Sequence, residues 1–280
     1  MLSKPSTSDG YGIEQLGLVR QTCLYMATKL GDLLDEIVVV GGLAPYLLVD
    51  QENLPLGLEP HVGTMDLDMG LALAILNHER YRELGHRLRD AGFEPAVNEQ
   101  GNRRLQTWTA GTPHPVTVDF LIPPVEESDK GGELRHFESD LAAIVAPGLE
   151  LAFKDRRWKE LSGSLPSGAR ATRKIPVCGP GAFTVLKVLA FGNRTENKDA
   201  YDLFYVWGGI GVPDVAESLV PLQPDSYIED ALSVIERDFC HHNGTGPIGT
   251  ARFLTKELDD NIQADVVGHA RALLRAMGRL

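Results

Sequence analysis

One short stretch of the sequence, Thr64 to Gly70, constrains the fold of this chain more than any other. Acidic and apolar residues alternate along it, and a β-strand points successive side chains to opposite faces. The stretch therefore predicts a strand with one apolar face for a core and one polar face that carries Thr64, Asp66 and Asp68.

The two carboxylates on this strand would lie about 7 Å apart. No Lys or Arg occurs between Asp66 and Asn77 to neutralise them by a short local contact. Half-burying two such charges is costly unless a cation lies between them. Mg²⁺ suits the position, because it prefers one or two carboxylates together with substrate phosphates. The alternative is a solvated acidic strand face, which is the commoner situation for this motif alone.

Composition indicates a globular protein of one large or two ordinary domains, with 280 residues, 43% of them hydrophobic and 24% charged. The chain has no apolar run of about 20 residues and no basic segment followed by an apolar one at its start. We therefore expect a cytoplasmic protein without a membrane partner. Cys23, Cys178 and Cys240 are far apart, which fits a reducing compartment, and Cys178 is expected to pack in a core.

A Gly-Gly pair precedes the acidic strand. Helical spacing of apolar residues predicts a helix over 13–34, and a β-branched run predicts a buried strand over 36–40. Gly41 and Gly42 then predict a tight turn into a helix over 43–49. Backbone amides at such a helix start can receive phosphate oxygens, and glycines let phosphates come close. The turn type is common, so by itself it is a weak indication.

A third acid follows on a later strand. After a polar loop over 50–63 and the acidic strand, the pattern predicts a helix over 78–91 and strands over 93–97, 104–109 and 116–122. Asp119 interrupts the apolar run of the last strand. Three acids on neighbouring strands could converge on two metal ions. A strand-end acid that bonds a loop amide is an equal alternative for Asp119.

Residues 125–175 have little periodicity and two glycine-rich breaks, so we expect a domain boundary there, with domains at 1–165 and 166–280. The second domain is predicted to be a small bundle, with helices over 180–191, 229–239 and 259–277 and another that begins near Asn197. His241 and His242 are predicted to lie in a loop without a third metal ligand.

Basic residues are concentrated in two places, Lys154 to Lys159 and Arg170 to Lys174. A net charge of −12 argues against a protein whose whole surface binds nucleic acid, but it leaves room for a local basic track. A solvated charged loop is the commoner explanation for such clusters.

Charged residues also interrupt the helical half. Lys187 lies on an apolar helix face, where a lysine either extends along the surface to solvent or points into a cleft. Asn197 is a plausible N-cap that places Asp199 in the first helical turn, where the helix dipole favours a carboxylate. Lys198 and Asp202 are spaced i to i+4, as in an ordinary surface ion pair.

Together these motifs resemble the AbiEii/AbiGii toxin group of nucleotidyltransferases, which includes the MenT toxins and belongs to the DNA polymerase β-like superfamily. The resemblance covers roughly Val38 to Leu203. It rests on five segments: Val-Val-Gly-Gly-Leu-Ala from Val39, Thr-Met-Asp-Leu-Asp-Met from Thr64, Val-Asp-Phe from Val118, Leu186 to Arg194, and Lys-Asp-Ala-Tyr-Asp-Leu from Lys198.

The resemblance implies an α+β fold, with a nucleotidyltransferase-type mixed sheet flanked by helices and a C-terminal helical domain that closes the nucleotide cleft. It implies Mg²⁺-dependent transfer of a nucleotide from a nucleoside triphosphate to an acceptor. The implied metal ligands are Asp66 and Asp68, with Asp119 as the third. The implied catalytic residues are Asp66, Asp68, Asp119, Lys187, Asp199 and Asp202, and the implied nucleotide-binding residues are Gly41, Gly42, Thr64, Lys187, Arg194 and Lys198.

Two positions depart from the family pattern. Many relatives have Gly-Ser where this chain has Gly41 and Gly42, and an Arg where it has Val62. The leading expectation is a toxin of a toxin–antitoxin or phage-defence pair that acts on tRNA and has an antitoxin protein as a possible partner. One alternative is a nucleotidyltransferase that inactivates a small-molecule antibiotic. Another is a degenerate nucleotidyltransferase that only binds a nucleotide or a partner.

Overall fold

A computed structural model describes residues 4–72, 78–110 and 116–280. The fold is α+β, with a mixed open sheet and helices, in agreement with the fold class that the resemblance implies. The chain divides into two compact units. Unit 1 comprises Ile13–Ala44 and Gly63–Cys178, and unit 2 comprises Lys4–Gly12, Pro45–Val62 and Gly179–Leu280.

This division differs from the expected boundary at residue 165 in two ways. The segments Lys4–Gly12 and Pro45–Val62 belong to the helical unit 2, although they precede most of the sheet in sequence. The glycine-rich segment 162–168, taken for a domain break, contains the turn of a β-hairpin. Gly168 has a φ of +85°, and its N–H donates to the carbonyl of Leu165 within that turn.

The sheet of unit 1 contains nine strands among the described residues. They are β1 Ile37–Val40, β2 Asp66–Leu71, β3 Phe93–Val97, β4 Arg103–Ala110, β5 Thr117–Ile122, β6 Leu134–Glu138, β7 Leu141–Val145, β8 Arg156–Ser164 and β9 Arg170–Cys178. Their order is β3-β4-β5-β2-β1-β9-β8, with β7 also paired to β5 and β6 to β7. The pairs β1–β9, β2–β5 and β5–β7 are parallel and the others antiparallel.

The described residues form ten α-helices. They are α1 Ile13–Leu30, α2 Ala44–Leu48, α3 His78–Asp90, α4 Glu150–Lys154, α5 Pro180–Arg194, α6 Asn197–Ile210, α7 Val212–Leu219, α8 Ser226–Phe239, α9 Thr245–Thr255 and α10 Asp260–Ala276. The helices expected over 13–34, 43–49, 78–91, 180–191, 229–239 and 259–277 are all present, with ends shifted by a few residues. Helix α1 ends earliest relative to its prediction, because Gly31 has a φ of +58° and a 3₁₀ segment Gly31–Glu36 follows.

Alternation of side chains along the strands builds the core of unit 1. On β5, Val118, Phe120 and Ile122 are buried, whereas Thr117, Asp119 and Leu121 are partly exposed. Strand β1 is buried along its whole length. Cys178, at the end of β9, is also buried, as predicted. The strand pattern read from the sequence over 116–122 is therefore confirmed.

The segment 125–175 contains four strands and a short helix where the sequence showed little periodicity. For β8 and β9 the reason is partial exposure: only Leu161 of β8 is buried, and the first half of β9 is mostly exposed. An exposed hairpin does not need the apolar alternation on which a sequence-based prediction depends.

Unit 2 is a bundle with an aromatic core. Phe191 and Phe239 lie with ring centroids 4.9 Å apart, and Trp207 meets Phe239 edge-on at 5.7 Å. A second buried cluster joins Val49, Tyr201, Tyr205 and Phe253. Across the described part of the chain, no helix combines the length and apolarity needed to cross a membrane.

Candidate functional site

The predicted acids of unit 1 meet on two parallel, adjacent strands. In the β2–β5 pair, Asp68 lies opposite Asp119 and Asp66 opposite Thr117. One carboxylate oxygen from each of Asp66, Asp68 and Asp119 lies within 4.8 Å of the others. Asp66 is 4% exposed, and Asp68 and Asp119 are half-buried. The expectation that three acids converge is confirmed, and the cluster could hold a metal ion.

Neutral hydroxyls help to orient these carboxylates. Thr64 donates to Asp66 Oδ1 across 3.0 Å, and Thr107 of β4 donates to an oxygen of Asp119. Thr107 is fully buried and lies opposite Asp119 in the β4–β5 pair. Hydroxyl donors fix the direction of a carboxylate without cancelling its charge. For a hard divalent cation, three clustered carboxylates are a suitable donor set.

The Gly-Gly turn lies against the same acids. Strand β1 ends with Val40 opposite Asp68, and Gly41 follows with a φ of +65°. A Cβ atom at Gly41 would lie 1.8 Å from Asp68 Oδ2, and one at Gly42 would lie 2.4 Å from Thr64 Oγ1. Gly41 therefore requires glycine in this conformation, and a side chain at Gly42 would have to displace that of Thr64. The absence of side chains lets backbone approach the acidic cluster, and the Thr64 hydroxyl fills the space beside Gly42.

Unit 2 contains a second charged cluster, which is buried. Lys187 Nζ lies 3.0 Å from Asp199 Oδ1 and 3.2 Å from Asp202 Oδ2. The exposed fractions of these three side chains are 8%, 2% and 0%, respectively. Lys187 thus neither extends to solvent nor lies bare in a cleft, because its ammonium group is shared by two carboxylates.

The structure also corrects the sequence-based interpretation of the charged residues on α6 as ordinary surface groups. Lys198 does pair with Asp202 at i to i+4, but Asp202 is fully buried, so this is no surface pair. Asp199 lies in the first turn of α6, and in addition both of its oxygens accept hydrogen bonds from Arg194, across 2.7 and 2.8 Å. The N-cap is Glu196, one residue before the expected Asn197.

His61 belongs to this cluster and was not predicted from the sequence. Its Nε2 lies 2.9 Å from Asp202 Oδ1, and its ring stacks on Tyr201 with centroids 5.3 Å apart. The His61 backbone N–H donates to Gln51 Oε1, which also accepts from the Tyr205 hydroxyl. No local pattern could have identified His61, because its partner Asp202 is 141 residues away in the chain.

Burial and neighbouring charges shift the pKa values in this cluster. Burial, helped by the charge of Lys198, lowers the pKa of His61 to about 4, so the ring is neutral at pH 7 and donates through Nε2 to ionised Asp202. Burial opposes ionisation of Asp202, but Lys198 and Lys187 outweigh it and hold the pKa of Asp202 well below its usual range. Burial likewise opposes a charge on Lys187, yet Asp199 and Asp202 raise its pKa.

The structure therefore collects the predicted site residues into two groups. Unit 1 holds Gly41, Gly42, Thr64, Asp66, Asp68 and Asp119, and unit 2 holds Lys187, Arg194, Lys198, Asp199 and Asp202. His241 and His242 lie in a loop before α9, as expected. The residues of the two basic clusters lie mainly on the hairpin β8–β9, not in a charged loop.

Comparison with known proteins adds no relative. A scan against protein-family models found no matching family, and a search of curated proteins found no matching sequence.

Proposed function

We propose that this chain is a Mg²⁺-dependent nucleotidyltransferase that moves a nucleotide from a nucleoside triphosphate to an acceptor. The observation that carries the proposal is the meeting of Asp66, Asp68 and Asp119 beside the Gly41-Gly42 turn. Clustered carboxylates supply the cation site, and the backbone of Gly41 and Gly42 beside them would bind the phosphates. The sequence resemblance to AbiEii/AbiGii toxins supports the same chemistry.

The donor set fits Mg²⁺, with Asp66, Asp68 and Asp119 as its ligands. When bound there, Mg²⁺ would neutralise triphosphate oxygens and stabilise the charge of departing pyrophosphate. Thr64 and Thr107 would keep the carboxylates aimed at one point through their hydroxyl donors. Gly41 and Gly42 would admit the phosphates to the backbone. The protein then needs only to hold the reactants in line and balance their charge.

The residues of unit 2 are proposed to serve the nucleotide and the acceptor. Lys187 and Lys198 would offset phosphate charge, and Arg194 has the most exposed side chain of the cluster, at 53%. Asp199 and Asp202 would orient the acceptor. Asp202 is suited to orienting neighbouring groups and not to accepting a proton, because it is fully buried and two ammonium groups hold its pKa well below its usual range.

For the acceptor we propose tRNA, with the chain acting as the toxin of a toxin–antitoxin or phage-defence pair. The concentration of basic residues on one hairpin supports a polyanionic acceptor. The alternative acceptor is a cationic antibiotic of the aminoglycoside type, which the net charge of −12 would attract.

One labelling experiment tests these proposals. The protein is incubated with each α-labelled triphosphate, Mg²⁺ and either total RNA or an aminoglycoside, beside Asp68→Asn and the exposed control Asp90→Asn. We expect RNA labelling by the parent and by Asp90→Asn and none by Asp68→Asn. Label on the antibiotic alone would indicate that the protein is a resistance enzyme and not a toxin. Nucleotide binding without pyrophosphate release would show a degenerate binding protein instead.

A further inference from the structure

The hairpin of unit 1 presents one solvent-exposed face that joins an aromatic side chain to basic and hydroxyl groups. Cross-strand pairing places Trp158 opposite Pro176, Ser162 opposite Thr172 and Ser164 opposite Arg170. Paired residues share a face, as do alternate residues along a strand. We name this surface the hairpin face; it consists of Arg156, Trp158, Glu160, Ser162, Ser164, Arg170, Thr172 and Lys174, and its one acid, Glu160, lies opposite Lys174.

The hairpin differs in charge from the rest of the protein. Six of the residues in 156–178 are Lys or Arg and one, Glu160, is acidic, whereas the chain as a whole carries −12. Arg170 and Lys174 of the hairpin face are exposed, and the single acid of the hairpin, Glu160, lies opposite Lys174 and leaves an excess of positive charge on this face. A concentrated positive surface on an acidic protein favours a polyanionic ligand.

Trp158 gives this surface an exposed aromatic group. It is 44% exposed, whereas Trp108 and Trp207 are fully buried. The Arg156 guanidinium lies 5.2 Å from the centre of the Trp158 ring and also donates to the Asp35 carbonyl across 2.7 Å. Both planar groups are thus held at the surface, as in proteins that stack nucleotide bases on aromatic and guanidinium planes.

The hairpin face lies on the same side of the sheet as the acidic cluster. Met69 pairs with Val39, Val39 with Val177, and Val177 with Arg157, so these residues share one face. Their neighbours Asp68 and Trp158 therefore share the other. Strand β8 is three strands away from β2, or about 14 Å.

The opposite side of the hairpin is the sheet face against which α1 packs. Leu161 is buried there, and a Cβ at Gly163 would lie 3.4 Å from Leu24 of α1. Arg157 and Arg173 are exposed basic residues on that opposite side. They resemble Arg170 and Lys174 in charge and exposure but not in direction, and so provide a control, although Arg157 also lies 3.7 Å from Asp155.

We propose that the hairpin face binds a single-stranded segment of RNA, with one base stacked on Trp158 and phosphates on Arg156, Arg170 and Lys174. This proposal deepens the proposed function and rests on it, because it says where the acceptor RNA lies relative to Asp66, Asp68 and Asp119. An acidic protein segment would satisfy the charges, but it has no use for an exposed indole beside a guanidinium group. The observations therefore favour a polynucleotide.

Fluorescence anisotropy of a labelled uridine 20-mer, without triphosphate or Mg²⁺, tests the surface. Trp158→Ala should weaken binding roughly tenfold or more, whereas Trp158→Phe should retain most of it. The double reversal Arg170→Glu/Lys174→Glu should weaken binding and flatten the slope of log K against log salt by about 1.4. Arg157→Glu/Arg173→Glu changes the net charge equally and should bind more tightly than that variant. Equal losses in the two reversals would overturn the proposal, as would a Trp158→Ala variant that binds normally.

Intrinsic fluorescence gives a second readout that folding defects do not imitate. RNA should quench the emission of the parent, and Trp158→Phe, which retains both buried tryptophans, should lose this quenching. Single-stranded DNA and poly-glutamate are the comparison ligands. Poly-glutamate binding as tight as RNA binding, with no dependence on Trp158, would assign the face to an acidic protein.

The binding assay also separates this proposal from the transferase activity. Asp68→Asn should bind the 20-mer like the parent, since that residue is outside the hairpin face. RNA binding without any nucleotide transfer would contradict the proposed transferase function and support the RNA-binding role of the hairpin face. If Trp158→Ala and Arg170→Glu/Lys174→Glu transfer nucleotide to RNA at the rate of the parent, the transferase function stands and the RNA-binding role of the hairpin face is contradicted.

Discussion

At the scale of single residues, the acidic cluster depends on a glycine at position 41 and an aspartate at position 68. Gly41 allows the backbone to turn with a positive φ immediately beside Asp68, and any Cβ there would occupy the space of the carboxylate. Asp68 in turn lies within reach of two other acids. The sequence showed both residue types in a strand-turn pattern, and the structure adds the contact that makes each necessary to the other.

Asp68→Asn should abolish turnover, by at least about a hundredfold, because it removes one cation ligand. In Mg²⁺-free buffer its free energy of unfolding should be unchanged or higher by roughly 1 kcal/mol, since like charges within 4.8 Å repel. Thermal unfolding with and without Mg²⁺ measures both effects. The parent and Asp90→Asn should gain stability with Mg²⁺ and Asp68→Asn should not. A variant that fails to fold would indicate a structural role for Asp68 instead.

Gly41→Ala should lose both stability and the Mg²⁺ response. A positive φ costs an alanine about 1 to 2 kcal/mol, and the new Cβ must also displace the Asp68 carboxylate. Gly92→Ala is the matched control, because Gly92 has a φ of +79° and the space that its Cβ would enter is open to at least 4 Å. It should lose similar stability from strain alone but retain the Mg²⁺-dependent rise in melting temperature. Identical Mg²⁺ responses in the two variants would contradict the role of the turn.

At the scale of elements, helices α5 and α6 are joined by buried charges as well as by apolar packing. Lys187 of α5 contacts Asp199 and Asp202 of α6, one helical turn apart from each other. Spacing along α6 predicted the Lys198–Asp202 contact correctly but not its burial. Burial depends on neighbours distant in sequence, such as His61, which a helical period cannot show.

Lys187→Met should lower the free energy of unfolding by about 3 kcal/mol, because it leaves two buried carboxylates without their shared cation. Turnover should also fall, by roughly a hundredfold, if Lys187 offsets phosphate charge. Urea unfolding and pyrophosphate release measure the two effects. Adding Asp199→Asn should restore part of the stability, as a coupled pair requires, without restoring turnover. Normal stability in the single variant would show that the ion pairs contribute nothing.

Because of His61, the free energy of unfolding should decrease in mild acid. Its pKa is about 4 in the folded protein and about 6.5 when unfolded, so the unfolded chain binds the proton more readily between these values. Stability should therefore fall as pH drops from about 6.5 to about 4, by up to about 3 kcal/mol. Unfolding by urea across this range tests the sign.

The variant His61→Gln keeps a donor near Asp202 but cannot titrate, so its stability should depend less steeply on pH in the same range. The exposed His86→Gln variant is the control and should keep the slope of the parent. A His61→Gln variant with the parent's slope would mean that other groups cause the acid sensitivity.

At the scale of the whole molecule, the distribution of charge and the path of the chain produce features that no single motif predicts. The protein is acidic overall, yet its most basic segment forms one hairpin at the edge of the sheet. The segments Lys4–Gly12 and Pro45–Val62 join the helical unit, which brings Gln51 and His61 to α6. A linear division of the sequence could not foresee either arrangement.

The sequence by itself determined the elements whose apolar period is strong: the buried strands β1, β2 and β5, the long helices and the turn at Gly41. It also determined that Asp66 and Asp68 share a face, because alternation along a strand is a local property. Only the tertiary structure decided that Asp119 lies opposite Asp68, since strand pairing joins distant segments. It likewise decided that Lys187, Asp199 and Asp202 are buried with His61, and that residues 156–178 form a sheet edge. These features depend on which surfaces other parts of the chain cover, and no local pattern records that.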